Sequence, residues 1–205
     1  MNEVSINKTI KLSEHLASPS EAALSHSSEL DGVRLSPHFT LAELCKTSYH
    51  TLDGNIPSHV AIENLKNICE NWLEDLRFSY NELYGEGDRS QETGDRREGV
   101  RRQESGDSIN DKEIPIIISS GYRSEEVNRK CGGAKESNHL TGCAVDIHCY
   151  GPEQMIRMAG ILLDIADGTK RDFDELIQEK RGSTYWIHFA VRPSGNRRKI
   201  LFDCR

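Results

Sequence analysis

The sequence lacks four features, and each absence excludes a class of protein. There is no basic excess: 26 Lys and Arg stand against 33 Asp and Glu, a formal charge of −7. Proteins that hold a phosphate backbone usually carry a positive surplus, so no nucleic-acid partner is expected. No apolar run approaches the roughly 20 residues that a membrane helix needs, so no membrane partner is expected either. The N-terminal residues mix Asn2, Glu3, Lys8, Lys11 and Glu14 among the apolar ones, leaving no h-region for a signal peptide. A cytoplasmic location is the expectation that follows. The six cysteines (Cys45, Cys69, Cys131, Cys143, Cys149 and Cys204) include no CxxC pair and no zinc-finger spacing. In a chain without an export signal they read as reduced, packed thiols.

What is present is unevenly distributed. Residues 85–113 hold nine acidic and six basic side chains, with Val100 and Ile109 as their only aliphatic ones. Such a stretch cannot bury enough apolar surface to offset the entropy of ordering it. A weak repeat, Gly87-Asp88-Arg89 and then Gly94-Asp95-Arg96, runs through it. It reads as a disordered charged insertion in a surface loop, with a partner-binding arm as the functional alternative. Without it the acidic excess falls from seven residues to four. The Ser-rich residues 1–37 read as a poorly ordered N-terminal segment, and 38–205 as one folded domain.

Within that domain the periodicities alternate. Thr40-Leu41-Ala42-Glu43 has capping-box form. From Pro57-Ser58 the residues Ile62, Leu65, Ile68, Trp72, Leu76, Tyr80 and Leu83 recur at helical steps until Gly85. Ile114 to Ile118 reads as a strand, with Pro115 placing it at an edge or a strand start. Ser124 caps a short helix, and Cys143 to Cys149 is a second strand. Pro152 opens a helix with Met155, Ile156, Ala159, Leu162, Leu163 and Ala166 on its apolar face. Phe173 to Ile177 and Tyr185 to Val191 read as a hairpin, and Lys199 to Phe202 as a last strand. There is no regular βαβ rhythm, so the fold class is α+β, a small antiparallel sheet flanked by helices.

Three side chains are candidate metal ligands. His139 lies in Ser137-Asn138-His139, just ahead of the turn at Thr141-Gly142. Asp146 lies inside Ala144-Val145-Asp146-Ile147, where a carboxylate is costly unless paired or bound to a cation. His188 lies inside Tyr185-Trp186-Ile187-His188-Phe189. Two imidazoles and one carboxylate on adjacent strands make a three-ligand zinc site with a fourth position open for water. Spacing alone leaves the alternative of satisfied core histidines. His148 is a rival ligand, because it shares a strand face with Asp146.

The series Ser120-Gly121-Tyr122-Arg123-Ser124, Asn128, Ser137-Asn138-His139-Leu140-Thr141-Gly142, Ala144-Val145-Asp146-Ile147 and Trp186-Ile187-His188 resembles the zinc D-Ala-D-Ala carboxypeptidases and related phage-type peptidoglycan peptidases. The resemblance runs from about His38 to Phe202, without the insertion. It implies a hedgehog/D-Ala-D-Ala peptidase-like fold and zinc held by His139, Asp146 and His188. Arg123 matches the arginine that neutralises a substrate carboxylate or the oxyanion, a role suited to its fixed charge and fork of donors. Ser137 matches a residue that contacts substrate or orients its histidine neighbour. The implied partner is the peptidoglycan stem peptide, cut by a monomer as a D-Ala-D-Ala carboxypeptidase or an L-Ala-D-Glu type endopeptidase. A protein without an export signal would reach the wall by release on lysis, or act on wall fragments in the cytoplasm.

One position departs from the pattern. Where many relatives place an acidic general base, three residues before the last histidine, stands Tyr185, which cannot serve at neutral pH. Glu179 replaces it if the hairpin register sets Ile177 across from His188 and Glu179 across from Trp186. Asp174 and Glu175 are the fallback candidates. Two other readings fit the same residues: a catalytically inactive hedgehog-like zinc-binding module, and a metal-free binding module.

Overall fold

A computed structural model describes residues 32–85 and 113–204. The N-terminal segment through residue 31 and the charged insertion at 86–112 fall outside those residues. Residues 32–37 are described, and Leu35 among them is buried in the core.

The capping box forms as written. Thr40 Oγ1 accepts from the Glu43 N–H and opens helix α1, Leu41–Leu44. Ser58 does the same for helix α2, His59–Ile68, by accepting from Ala61 N–H. The helix then passes through a π turn, Cys69–Leu73, into helix α3, Glu74–Tyr84. The wider turn brings Cys69, Trp72 and Leu73 all inside, and Leu76 and Tyr80 continue the buried face. Leu83, expected on that face, is 63% exposed, because the π turn shifts the phase of the residues after it.

Strand β1 is only Ile118–Ser120, shorter than the expected Ile114 to Ile118. Pro115 has no N–H to give a ladder, and Asn81 takes the place of a partner strand for Ile114. The Asn81 amide donates to Ile114 O at 3.0 Å and accepts from Ile114 N–H at 2.7 Å. Helix α4, Glu125–Lys130, is capped by Ser124. A 3₁₀ turn at Asn138–Thr141 leads into strand β2, Ala144–Cys149. Helix α5, Pro152–Thr169, buries Met155, Met158, Ala159, Ile161, Leu162, Ile165 and Ala166, while Ile156 faces away at 62% exposure. Strands β3, Glu175–Arg181, and β4, Thr184–Ala190, form the hairpin, and Gly182 at its turn has φ +60°. Strand β5 is Lys199–Cys204.

The strands make one sheet in the order β1-β2-β4-β3-β5, with mixed helices around it, an α+β fold. All neighbours are antiparallel except β3 and β5, which run parallel, so the sheet is not wholly antiparallel as expected. Alternation gives the sheet two unlike faces. Val145, Ile147, Leu176, Ile187 and Phe189 lie in the core, where Trp72 packs on Phe189 at 5.0 Å and on Phe173 at 6.2 Å between ring centroids. The opposite face carries Asp146, His148, Glu175, Glu179, Trp186 and His188, placed there by the pairings Asp146↔His188, Glu175↔Ala190 and Glu179↔Trp186.

Gly142 ends the 3₁₀ turn with φ +69°, and a Cβ there would stand 2.3 Å from Ala61 O. Both the backbone conformation and the contact require glycine. Gly142→Ala is expected to destabilise the fold by more than about 1 kcal/mol, measurable by urea denaturation; equal midpoints would overturn this packing argument.

Candidate metal centre

Local structure delivers each side chain of the centre separately. Ser137 caps the 3₁₀ turn by accepting from the His139 N–H at 3.3 Å, which fixes the start of the turn that carries His139. Asp146 projects from β2 and His188 from the facing position of β4. Their ligand atoms meet on the open face of the sheet. His139 Nε2 lies 3.2 Å from Asp146 Oδ1 and 3.2 Å from His188 Nδ1, and the latter two atoms are 3.0 Å apart. Among the described residues this is the His, Cys, Asp or Glu cluster able to hold a metal ion.

The donor set fits zinc. Four ligands about 2.0–2.1 Å from zinc in a tetrahedron lie about 3.3–3.4 Å from one another, close to the separations here. The far side of each imidazole is also committed. His139 Nδ1–H donates to Gly121 O at 2.6 Å, so its Nε2 presents a lone pair to the centre. His188 Nε2 faces Glu175 Oε2 at 3.6 Å, leaving Nδ1 inward. Such outer partners fix tautomer and ring orientation in metal-binding histidines.

The electrostatics follow from burial and proximity. Burial pushes His139 below the ordinary histidine value, against the pull of Asp146, and so favours the neutral ligand form. Burial also opposes charge on Asp146 and His188, but their mutual contact wins. Asp146 is held well below the carboxylate range by His139 and His188, and His188 rises to about 9 through Asp146 and Glu175. Asp146 and Glu175 thus favour the protonated imidazole of His188, and a metal bound there takes the place of that proton.

Arg123 also converges on Asp146. Its Nη2 pairs with Oδ2, the carboxylate oxygen turned away from the imidazoles, and its Nε donates to Ser120 Oγ at 2.8 Å. The guanidinium thus borders the three candidate ligands. His148 lies on the same face two residues beyond Asp146, edge-on to Tyr150 at 5.2 Å and apart from the cluster.

Strand β3 places three carboxylates in three environments. Asp174, just before the strand, is fully buried; burial opposes its charge, but Arg197, Asn138 and Arg192 hold its pKa below the usual value. Its oxygens take hydrogen bonds from Arg197 Nε, Arg197 Nη2 and Asn138 Nδ2 at 2.7, 2.7 and 2.9 Å. Glu175, paired with His188, Lys199 and Arg197, falls to about 2. Both fallback candidates are thereby weaker bases than an ordinary carboxylate. Glu179 has the register anticipated for it, opposite Trp186, and accepts a hydrogen bond from the Trp186 side chain. Burial and the nearby Asp146 raise its pKa, the direction a general base needs.

The sequence reading misses two roles, that of Glu175, which it weighs only as a fallback base, and that of Asn138, which it takes only as part of a motif. Glu175 backs His188, and Asn138 joins the two halves of the centre. The Asn138 amide donates to Asp174 and Glu175 at 2.9 and 3.3 Å and accepts from Arg192 Nε at 2.9 Å. It thereby ties the His139 turn to the strand behind His188. The available signal was an acidic pair, Asp174-Glu175, with an Arg-rich segment, 192–198, later in the chain.

A family model described as Peptidase M15 matches residues 77–166, a stretch that contains Arg123, Ser137, His139 and Asp146. His188 and Glu179 lie beyond the matched residues. No curated protein matches the chain. With the His–Asp–His cluster, the family match supports a metallopeptidase.

Glu175→Gln is expected to weaken zinc binding about 10–100-fold in chelator competition. The same substitution tests linkage. The folded pKa of Glu175, about 2, lies below the ordinary 4.5. Its stabilisation is therefore present above pH 4.5 and lost as pH falls through 2. The wild-type advantage over the variant in thermal unfolding should shrink across that window. An advantage independent of pH there would contradict the assignment.

Proposed function

We propose that this protein is a zinc-dependent peptidase that hydrolyses an amide bond in peptidoglycan stem peptides. The observation that carries the reading is the union of an open His139–Asp146–His188 centre with a carboxylate of raised pKa, Glu179, on the same sheet face. A structural metal site is normally closed by a fourth protein ligand, whereas three ligands leave room for reactants. The sequence resemblance to D-Ala-D-Ala carboxypeptidases and phage-type peptidases supplies the substrate class.

Zinc bound there would polarise the scissile carbonyl and lower the pKa of a coordinated water to about 7. The chain's own groups do the rest. Glu179 removes the proton from the attacking water and returns it to the leaving amine. Trp186 holds the carboxylate by its indole N–H, so the base is aimed before substrate arrives. Arg123 brings fixed positive charge to the rim of the centre, where the carbonyl oxygen becomes negative or a substrate carboxylate docks. Asn138 and Glu175 keep the two imidazoles in place without touching the reacting atoms. No nucleic acid or membrane takes part, and the catalytic unit is a monomer. No helix among the described residues is long and apolar enough to cross a membrane. Synthesis in the cytoplasm and release on lysis would bring the protein to the wall.

The test is mass spectrometry of purified stem peptides after incubation with the zinc-loaded protein. Cleavage is expected, abolished by chelator and restored by zinc. Uncut peptides in the presence of one equivalent of bound zinc would refute the reading. Glu179→Gln should retain zinc and lower kcat by about 10²–10⁴-fold. The base must be unprotonated, so kcat/KM falls as pH drops through the pKa of Glu179. That acid limb should be missing from the residual activity of the variant.

A further inference from the structure

The sheet ends in two unlike edges. Strand β1 is three residues long, whereas β5 runs for six, Lys199–Cys204, with no proline or glycine. Short strands, proline and charges keep a free edge from pairing with another chain. On β5 the charges stand only toward the ends, at Lys199 and Asp203. Between them Ile200, Leu201 and Phe202 are 47%, 43% and 59% exposed. Among the described residues no strand pairs with the outer side of β5.

The direction of the backbone groups on this strand is fixed. Lys199 N–H donates to Asp174 O at 3.0 Å, so in the parallel ladder Lys199, Leu201 and Asp203 turn their N–H and C=O toward β3. Ile200, Phe202 and Cys204 turn theirs to the outer side. Two copies of β5 can therefore pair antiparallel about a two-fold axis only where outward residues face outward residues. That condition places the axis at a residue, not between two. An axis at Ile200 sets Lys199 against Leu201, and one at Phe202 sets Asp203 against Leu201. An axis at Leu201 sets Leu201 against itself, Ile200 against Phe202 and Lys199 against Asp203. Of the three central positions, this one opposes charge with opposite charge and apolar with apolar throughout. Both kinds of cross-strand pair are favourable.

We propose that β5 is the interface of a dimer, pairing antiparallel with β5 of a second copy about an axis at Leu201. Five strands from each copy then make one continuous sheet. An axis perpendicular to the sheet keeps its two faces distinct. The pairings Glu175↔Lys199, Ile177↔Leu201 and Glu179↔Asp203 put Lys199, Leu201 and Asp203 on the face of the metal centre. Both centres of the dimer therefore open to the same side. Each copy keeps a complete His139–Asp146–His188 cluster, so the catalytic unit is still one chain. The pairing brings the partner's Lys199 to Asp203, the β5 residue beside Glu179. The inference stands apart from the peptidase reading, since none of its steps uses a substrate.

Sedimentation of the full chain over a concentration series should show a monomer–dimer equilibrium. Lys199→Glu sets carboxylate against carboxylate at both ends of the pairing, and Asp203→Lys sets ammonium against ammonium. Each variant alone should raise the dimer dissociation constant about tenfold or more. An equimolar mixture of the two should recover the dimer, because every clash becomes a match. Lys199 also touches Glu175, so the mixture is the decisive sample: damage to folding would not be repaired by mixing. Register is read by cross-linking under mild oxidation. Leu201→Cys should link two copies, since facing residues of a non-hydrogen-bonded pair have Cα atoms about 4.5 Å apart, within disulfide reach. Ile200→Cys, which faces Phe202, should link no more than the wild type does. A wild type that stays monomeric, a mixture that stays monomeric, or equal linking by the two cysteine variants would overturn the proposal. So would a monomer whose Ile200 and Phe202 amides exchange slowly with solvent, since another part of the chain would then cover the edge.

Discussion

Burying the carboxylate of Asp146 is the constraint around which the functional half of this molecule is arranged. A charge in the middle of an apolar strand costs several kcal/mol unless its lone pairs are matched. Here one oxygen faces two imidazoles and the other faces a guanidinium. Each partner arrives from a different part of the chain: Arg123 from the turn after β1, His139 from the 3₁₀ turn, and His188 from β4. The backbone answers too, since Ser119 Oγ donates to Asp146 O and the β1 ladder shifts register beside it. Packing on the helix side of the sheet fixes where Asp146 must stand, and satisfying it fixes where the other three must come.

Function is then separated among chemically similar groups by surroundings alone. Asp174, Glu175 and Glu179 lie within six residues of one another, and only the strand register separates Glu179 from the other two in the sequence. Their neighbours rank all three. Asp174 is enclosed by Arg192, Arg197 and Asn138, and Glu175 is spent on His188 and two cations. Glu179 is left partly buried near a like charge, which makes it the most basic of the three. This is the pattern by which paired carboxylates acquire opposite roles in one site.

The metal centre and the contacts that support it are unequally legible in the sequence. Asp146 in an apolar strand and His188 in another announce themselves, because a polar group at a core-strand position demands an explanation. Period-two alternation also makes the β3–β4 register inferable, since a slip of one residue would turn Leu176, Ile187 and Phe189 out of the core. The parallel partnership of β5, the π turn at Cys69–Leu73 and the Asn138 bridge were not inferable. The β5 pairing and the bridge depend on contacts between residues far apart in the chain, and the acidic pair with its Arg-rich counterpart at 192–198 does not by itself say which groups meet. Strand β1 is shorter than its composition suggests for a related reason: Ile114 is strand-like, but a side-chain amide from helix α3 satisfies its backbone.

That amide has a wider consequence. By gripping Ile114, Asn81 brings the chain back to helix α3 within one turn of the point where the chain leaves it at Gly85. The described chain thus leaves and rejoins the fold at one port, Gly85 and Ile114. Closure entropy grows only by about 0.6 kcal/mol for each doubling of a flexible loop. The fold can therefore tolerate wide changes in length and composition at this port, including a grafted domain, while the spacing of Asp146 and its partners stays untouched.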